Sequence, residues 1–572
     1  MLCIEPPRHG ILNAAVSAPC APPRMVFQVT TSREGNILPT TDCQHIDVAP
    51  GLSRLFLDFC TREPSVRPFF ALPSETESCQ RRPPVPDHWP EVVAILAAQN
   101  PSATAAPALE ALRNGGGTVV TGQQVGLLGG PLFTPFKAAT ALARARQAVA
   151  SGRPHAAIFW LATEDHDFEE INHVTFPTRK ELRKLVYRAA PSAPRPVGDL
   201  VFDESITPLI EQTWELLGYS PAMETLAQAY KPGRSFARAF AEFYSAAFAA
   251  QGLLILDAAS REVHRLGAPV LRAAIDGADE LHAALIERNR ALEAAGYHAQ
   301  VAVGPQSSLV FLLDDRTGAR MALKRVASSA TEPAGSWQAG RQTYSTGELL
   351  GILDSEPERI SPSALLRPVF QDFLLSASLV VGGPAEVAYF AQSSVLYEKI
   401  LGRTTPAEPR LSATLIESAI GELIRKHELG LDRIFASTPD SLAQLLAARA
   451  MPIEGKQKLA EAGNALDREL TSLLEWMHAL DPDLGRSGET AARKMRYQMN
   501  RLRRLAANYQ LQREDSLGRH AHAISRAIYP EGILQERVHG AAYYFARYGF
   551  ELAEFLTAQA ADPCPGHKAI WL

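Results

Sequence analysis

Gly117-Thr118-Val119-Val120-Thr121-Gly122-Gln123-Gln124-Val125-Gly126-Leu127-Leu128-Gly129-Gly130-Pro131-Leu132-Phe133-Thr134-Pro135-Phe136-Lys137 runs from a β-branched stretch through a glycine-rich loop into the start of a helix. β-Branched residues favour strands, and proline is tolerated in a first helical turn. The reading is strand, loop, helix, with the helix continuing to about Val149 and stopping at Ser151-Gly152. The glycine spacing is neither the dehydrogenase fingerprint nor a P-loop. Glycines at such a place still let backbone approach a phosphate, and the helix N-terminus favours negative charge. Gly122, Gly126, Gly129 and Gly130 are therefore candidates to cradle a nucleotide. Thr134 and Lys137, three residues apart, would share a helix face and clamp its phosphates. The alternative is a tight turn followed by an N-cap threonine and a solvated lysine.

Outward from this unit, three more apolar runs read as buried strands. Ala157–Ala162 leads to Glu164-Asp165-His166-Asp167, Leu253–Leu256 leads to Asp257, and Leu379–Val381 leads to Gly382-Gly383-Pro384. Strands alternating with helices argue for an α/β fold with a parallel sheet. Such sheets place their sites beyond the carboxyl ends of the strands. The acidic run, with Glu169, Glu170 and His173 close behind, could hold Mg²⁺ or an ammonium group, or act in acid/base catalysis. A permanent metal is not expected, because zinc sites usually use thiolates or well-spaced histidines. Glu386, Tyr389 and Gln392 would share a helix face after the glycine pair, and Arg367, Gln371, Asp372 and Arg410 flank that strand. The regions near 175–250 and 300–360 read as insertions in a core spanning 45–415.

The chain has 572 residues, 46% hydrophobic and 21% charged, which excludes a disordered or collagen-like protein. The net charge of -5 argues against a dedicated nucleic-acid binder. No apolar run approaches the roughly 18 residues a membrane span needs. The six cysteines form no C-x-x-C and read as scattered reduced thiols of a cytoplasmic protein. Residues 1–44 read as an extension without a signal-peptide layout. A helical pattern follows, with Leu52, Leu55, Phe56 and Phe59 on one face.

In the C-terminal third the period changes. Leu459, Leu466, Leu470, Leu473, Met477 and Leu480 form one heptad seam, and Ala492, Met495, Met499, Leu502, Ala506 and Tyr509 another. The cluster Asp481–Gly488 between them reads as a turn. The expectation is an antiparallel helical hairpin within a coiled-coil domain of 416–525, with 526–572 packing back on the core. Arg493, Lys494, Arg496, Arg501, Arg503 and Arg504 lie on its second helix. They read as a solvated face, with a coiled-coil scaffold or RNA-binding role as the rival.

Thr121-Gly122-Gln123-Gln124, Gly130-Pro131, Thr134, Lys137, Trp160, Glu164–Asp167, Arg367-Pro368, Gln371-Asp372, Gly382-Gly383-Pro384, Glu386, Tyr389 and Gln392 together resemble BshC, the cysteine ligase family of bacillithiol biosynthesis. Gln535-Glu536-Arg537 and Tyr548-Gly549 resemble that family's C-terminus. The resemblance covers about residues 45–572. It implies a Rossmann-like core with connecting insertions and a coiled coil used for dimerisation. The implied substrates are L-cysteine and glucosaminyl-malate, joined with ATP, with Mg²⁺ as an option. The core is similar to class I aminoacyl-tRNA synthetases and nucleotidyltransferases, and the latter with another acceptor are the first rival. Thr134-x-x-Lys137 falls in the slot of their His-x-x-His, so the two phosphate-holding histidines are absent. Gly382-Gly383 with Glu386 resembles the strand-end motif of cysteinyl synthetases, whose thiolate zinc site is not visible. Pro409–Thr414 falls near their mobile Lys/Ser loop, with Arg410 its cation.

The resemblance implies a role for each site residue. Lys137, Thr134, His166, Asp165 and Asp167 would be catalytic, with His166 as general base and Asp165 or Asp167 holding an ammonium group. Gln123, Gln124, Trp160, Glu164, Arg367, Gln371, Glu386, Tyr389, Gln392 and Arg410 would bind substrate, with Arg367 and Arg410 on the malate carboxylates. Gly122, Gly126, Gly129, Gly130, Gly382 and Gly383 would line the nucleotide.

Overall fold

In the computed structural model, which describes residues 51–71, 84–326, 335–562 and 566–572, the opening stretch forms the centre of a five-stranded sheet. Its strands are β1 (Gly117–Gln123), β2 (His155–Leu161), β3 (Leu254–Asp257), β4 (Ala377–Gly382) and β5 (Ala407–Pro409). The spatial order is β5-β4-β1-β2-β3 and every pairing is parallel. The chain steps outward from β1 to β3 on one side, then returns to the other side of β1 as β4. The topological switch point therefore lies between β1 and β4.

Parallel central strands are covered on both faces, which makes them read as continuous apolar runs. Alternate residues feed two cores. Val119, Phe159, Leu161 and Val381 point into one, and Val120, Ile158, Trp160 and Val380 into the other. The first core is roofed by α1 (Phe133–Ala150), which is buried nearly all round between Thr134 and Ala145. Alanines dominate it because it lies sandwiched between the sheet and a further helix. The second core takes α2 (Arg261–Asp276), α3 (Arg367–Leu375) and α4 (Pro384–Leu401).

The segments between β2 and β3 and between β3 and β4 carry the insertions. The first holds the hairpin His173–Pro177/Leu182–Val186 and four α-helices, the first of them the short Phe168–Ile171. The second holds two small antiparallel sheets of three strands each. The N-terminal pattern forms a helix over Arg54–Cys60 that buries Leu55, Phe56 and Phe59. Residues 1–44, together with Cys3, Cys20, Cys43, Cys79 and Cys564, lie outside the described residues. Burial pushes the Cys60 thiol up to about 12, which keeps it protonated and unreactive at neutral pH.

After β5, β6 (Ala413–Ile416) pairs in parallel with β7 (Lys568–Trp571). Between them lie α5 (Ile453–Leu480), α6 (Pro482–Arg513) and α7 (Glu551–Ala561). α7 is the helix that covers α1. The Ala560 carbonyl accepts from Arg144 Nη1 at 3.1 Å, and Arg146 pairs with Glu554 at 2.8 Å.

The hairpin of α5 and α6 departs from the expected turn. Only Asp481 interrupts the helices. Its carboxylate accepts from the amides of Asp483 and Leu484 at 2.8 and 2.9 Å, and Pro482 occupies the first helical position. Gly485 and Gly488 are helical and buried, at points where α5 approaches closely. A Cβ at Gly488 would stand 2.8 Å from Met477 Sδ. Each expected seam also splits between two faces. Leu470 and Ala492 are buried within the hairpin, whereas Leu473, Leu480, Met495, Leu502 and Tyr509 are exposed. Arg496 reaches across the hairpin to Asp467 at 2.8 Å.

Candidate active site

A cavity of about 290 Å³ opens at the switch point, beyond the carboxyl ends of β1 and β4. Lys137 enters it from the first turn of α1 and is buried. Its ammonium donates to the Gly122 carbonyl and to Gln123 Oε1, both at 2.8 Å, and pairs with the Glu386 carboxylate from α4. Glu386 also accepts from the Gly383 amide at 2.7 Å, which fixes it at the start of its helix. Burial lowers the Lys137 pKa below the usual lysine value, against the pull of Glu386. Arg410 and Arg537 stand near enough to lower it further. A Cβ on Gly383 would crowd Arg410 Nε at 3.2 Å, so glycine permits this close approach.

Opposite lies Asp165, which ends the β2 loop. Arg367, the first residue of α3, holds it with Nη1, at 3.2 Å, and Nη2. Gln124 Nε2 donates to it at 3.2 Å and to Glu170 at 3.0 Å. Arg320 stands 3.9 Å away. Burial alone would raise the Asp165 pKa, but Arg367 and then Arg320 overcome it and hold the carboxyl below its ordinary value. Trp160, Gln371, Tyr389 and Phe133 complete the walls. Trp160 Nε1, Arg367 Nε and Arg410 Nε are buried donors without a hydrogen-bond partner among the described residues.

Other candidates are placed elsewhere. Thr134 is fully buried behind the loop against Gly130 and does not share the cavity face of Lys137. Glu164 turns into the core and pairs with His264 of α2 at 2.6 Å. Asp167 is exposed and caps the short helix Phe168–Ile171. His166 lies 3.2 Å from Arg320 and beside Phe311, outside the cavity lining. Its pKa is lowered by burial and by Arg320. Gln392 is fully buried, bonded to both backbone groups of Val301 and to Asn289. Gly382 is buried beneath Phe390.

The glycine loop is a packed turn in which the amides of Gly126, Gly129 and Gly130 are engaged. Gly126 N–H donates to Gln124 O and Gly130 N–H to Leu127 O, at 3.1 and 3.0 Å. Gly129 N–H donates to the Tyr230 hydroxyl at 3.0 Å, and the Gly129 carbonyl accepts from Tyr244 at 2.8 Å. Gly129 and Gly130 take φ of +83° and +69°, and a Cβ on Gly129 would strike Phe243 at 2.8 Å. Backbone conformation and aromatic packing thus account for these glycines.

Three charged groups had no role in the sequence reading of the site. Arg320 comes from an insertion strand and lies 3.8 Å over the Phe311 ring. Glu536 accepts from Arg410 at 2.6 Å, from Ser412 at 3.2 Å and from the Ala413 amide at 2.9 Å. Arg537, next to it, lines the cavity. The run Gln535-Glu536-Arg537 was a visible signal for the last two, whereas nothing local marks Arg320.

A family model described as the bacillithiol biosynthesis BshC N-terminal Rossmann-like domain matches residues 41–411, and the BshC C-terminal coiled-coil domain matches 413–571. The chain belongs to the BshC family. A relative from Koribacter versatilis named "Putative cysteine ligase BshC" is 39% identical over 538 residues, 92% of this chain and 99% of its own length. Relatives of the same name from Solibacter usitatus and Salinibacter ruber are 33% and 31% identical, over 91% and 79% of this chain and 98% and 82% of theirs. The fold is accordingly the BshC pairing of Rossmann-like and coiled-coil domains. Among the described residues no helix is long and apolar enough to cross a membrane, and no three His, Cys, Asp or Glu side chains are grouped to share a metal ion.

Proposed function

We propose that this chain is a cysteine ligase that joins the carboxyl of L-cysteine to the amine of glucosaminyl-malate, with ATP consumed to activate the carboxyl. The relatives' name supports a ligase acting with cysteine. The observation that carries the reading is the Lys137–Glu386 pair set opposite Asp165–Arg367 at the switch point.

Amide formation in water is uphill, so the carboxylate must first gain a leaving group. In the proposed sequence the cysteine carboxylate oxygen attacks the α-phosphorus of ATP and pyrophosphate departs. The sugar amine then attacks the acyl carbon, loses a proton, and AMP leaves. Lys137, itself buried, supplies fixed positive charge where phosphate charge develops. The loop amides of Gly126, Gly129 and Gly130 have no share in this, being already engaged. Asp165, kept ionised by Arg367, is an electrostatic anchor for an ammonium group. A second copy covering the exposed stripe of the hairpin would make the protein a dimer, and a cytoplasmic setting fits the reaction.

The test is cysteine-dependent pyrophosphate release with glucosaminyl-malate as acceptor. Turnover lost in Lys137→Ala with an unchanged far-UV spectrum supports the reading. Absence of cysteine incorporation into any amino-sugar acceptor overturns it.

A further inference from the structure

The cleft continues beyond Lys137. A second hollow of about 380 Å³ adjoins the first, and Gln124, Phe133, Glu170 and Arg537 border both. Its far wall is the insertion hairpin, which contributes Lys184. Arg537 stands at the junction on a backbone clamped from both sides. Before it, Gln535 Oε1 accepts from the Leu415 amide and Nε2 donates to the Leu415 carbonyl, both at 2.8 Å, while Glu536 binds Arg410. After it, the His539 carbonyl accepts from the Leu132 amide at 2.7 Å, and the Gly540 amide donates to Thr175 at 2.8 Å.

The cations of the first hollow are differently placed. Lys137, Arg367 and Arg410 each have a carboxylate partner. Arg537 is exposed, and among the described residues no carboxylate lies within ion-pairing distance of it. A guanidinium on a fixed backbone, open to a cleft and feeling Glu536 and Glu170 only beyond ion-pairing distance, is suited to bind a carboxylate or phosphate in a bidentate manner. The first hollow already holds the groups assigned to activation. We propose that Arg537 receives a carboxylate of the acceptor, and that the adjoining hollow, with Lys184 on its far wall, is the acceptor's lobe. This rests on the ligase reading. A nucleotide phosphate offers the same chemistry, so the two sources are separated by experiment.

The whole protein is titrated calorimetrically with glucosaminyl-malate and with methyl glucosaminide, which lacks the carboxylates. KM values for acceptor, cysteine and ATP are measured in parallel, for the unaltered protein, Arg537→Gln and Arg537→Lys. The unaltered protein should bind glucosaminyl-malate at least about tenfold more tightly than the carboxylate-free glycoside, the usual worth of a charge-assisted hydrogen bond. Arg537→Gln should erase most of that preference and raise the acceptor KM by a similar factor, with the cysteine and ATP KM unmoved. Arg537→Lys should recover part of it. Equal affinity for the two glycosides, an unchanged acceptor KM in Arg537→Gln, or a shift confined to ATP overturns the assignment. Turnover that ignores Arg537 overturns it while leaving the ligase reading intact. Carboxylate-dependent binding without amide formation supports it and removes the ligase reading.

Discussion

The Lys137 ammonium and the Glu386 carboxylate meet across the gap between β1 and β4, one carried by the first turn of α1 and the other by the first turn of α4. Two strand–helix units that are 249 positions apart in sequence are thereby tied at the place where a parallel sheet opens. The pair also sets the charge state of the lysine. Burial pushes its pKa down and Glu386 pushes back. Lys137→Ala should lower kcat/KM by about 100-fold or more, the usual loss for one preorganised electrostatic donor. Glu386→Gln keeps an acceptor for the Gly383 amide but removes the charge. The lysine pKa should then fall further, moving the alkaline limb of the pH–rate profile to lower pH. An unmoved limb would exclude Lys137 as the group that titrates there.

Asp165 and Arg367 form a second pair with a different dependence. Each is held in part by others: Asp165 by Gln124 and Arg320, and Arg367 by its place at the start of α3. Removing one partner of a buried pair leaves an uncompensated charge, at a cost of about 3–5 kcal/mol. Arg367→Met should approach that figure in denaturant unfolding, because Arg320 is too distant to replace it fully. The double variant with Asp165→Asn should recover much of the loss. Additive losses in this double-mutant cycle would show that the two residues act independently.

Strand and helix positions around Lys137 were legible because a parallel sheet buried on both faces must use apolar runs, and the strand ends then fall where polar residues cluster. Lys137, Asp165, Arg367, Gln371, Glu386, Tyr389 and Arg410 do converge on one cavity. Orientation was not legible. Thr134 and Lys137 are three residues apart, but α1 is covered on both sides, so helical spacing cannot say which face is open. Glu164 and Asp165 are adjacent and point to different places, one into the core against His264 and one to Arg367. The glycine loop shows a further limit. The same spacing serves a phosphate or a turn packed on Phe243, and only the tyrosine hydroxyls reveal which.

Two buried histidines make the C-terminal segment sensitive to acid. His539 lies 2.9 Å from the Tyr544 hydroxyl and 3.0 Å from the Arg526 carbonyl, and His567 lies 2.7 Å from Thr414 and 2.8 Å from Ser412. Burial lowers both to about 4, while an unfolded histidine titrates near 6.5. Between those values the unfolded chain binds more protons, so stability falls as pH drops from 6.5 towards 4. The loss should approach roughly 3 kcal/mol for each histidine at the lower end. Thermal melts of the unaltered protein and of His567→Gln should diverge at pH 7 and converge near pH 4. Parallel curves would remove His567 from the account.

The hairpin leaves large apolar side chains on its outer side. Leu473, Trp476, Leu480, Leu484, Met495, Leu502, Leu505 and Tyr509 are exposed, while Gly463, Leu470, Gly488 and Ala492 close the hairpin from within. Met495, Leu502 and Tyr509 recur at heptad spacing along α6, a pattern that suits packing against a second copy. Because inner and outer faces use different residues, dimerisation and hairpin stability should separate. Leu502→Glu combined with Leu505→Glu should place two carboxylates on the outer face and convert a sedimenting dimer into a monomer at micromolar concentration. Helix content should remain, since neither side chain contributes to the buried seam. The companion change Ala492→Glu, which inserts a charge inside the hairpin, should instead cost helix content. A protein that sediments as a monomer before any substitution would assign the stripe to some other surface.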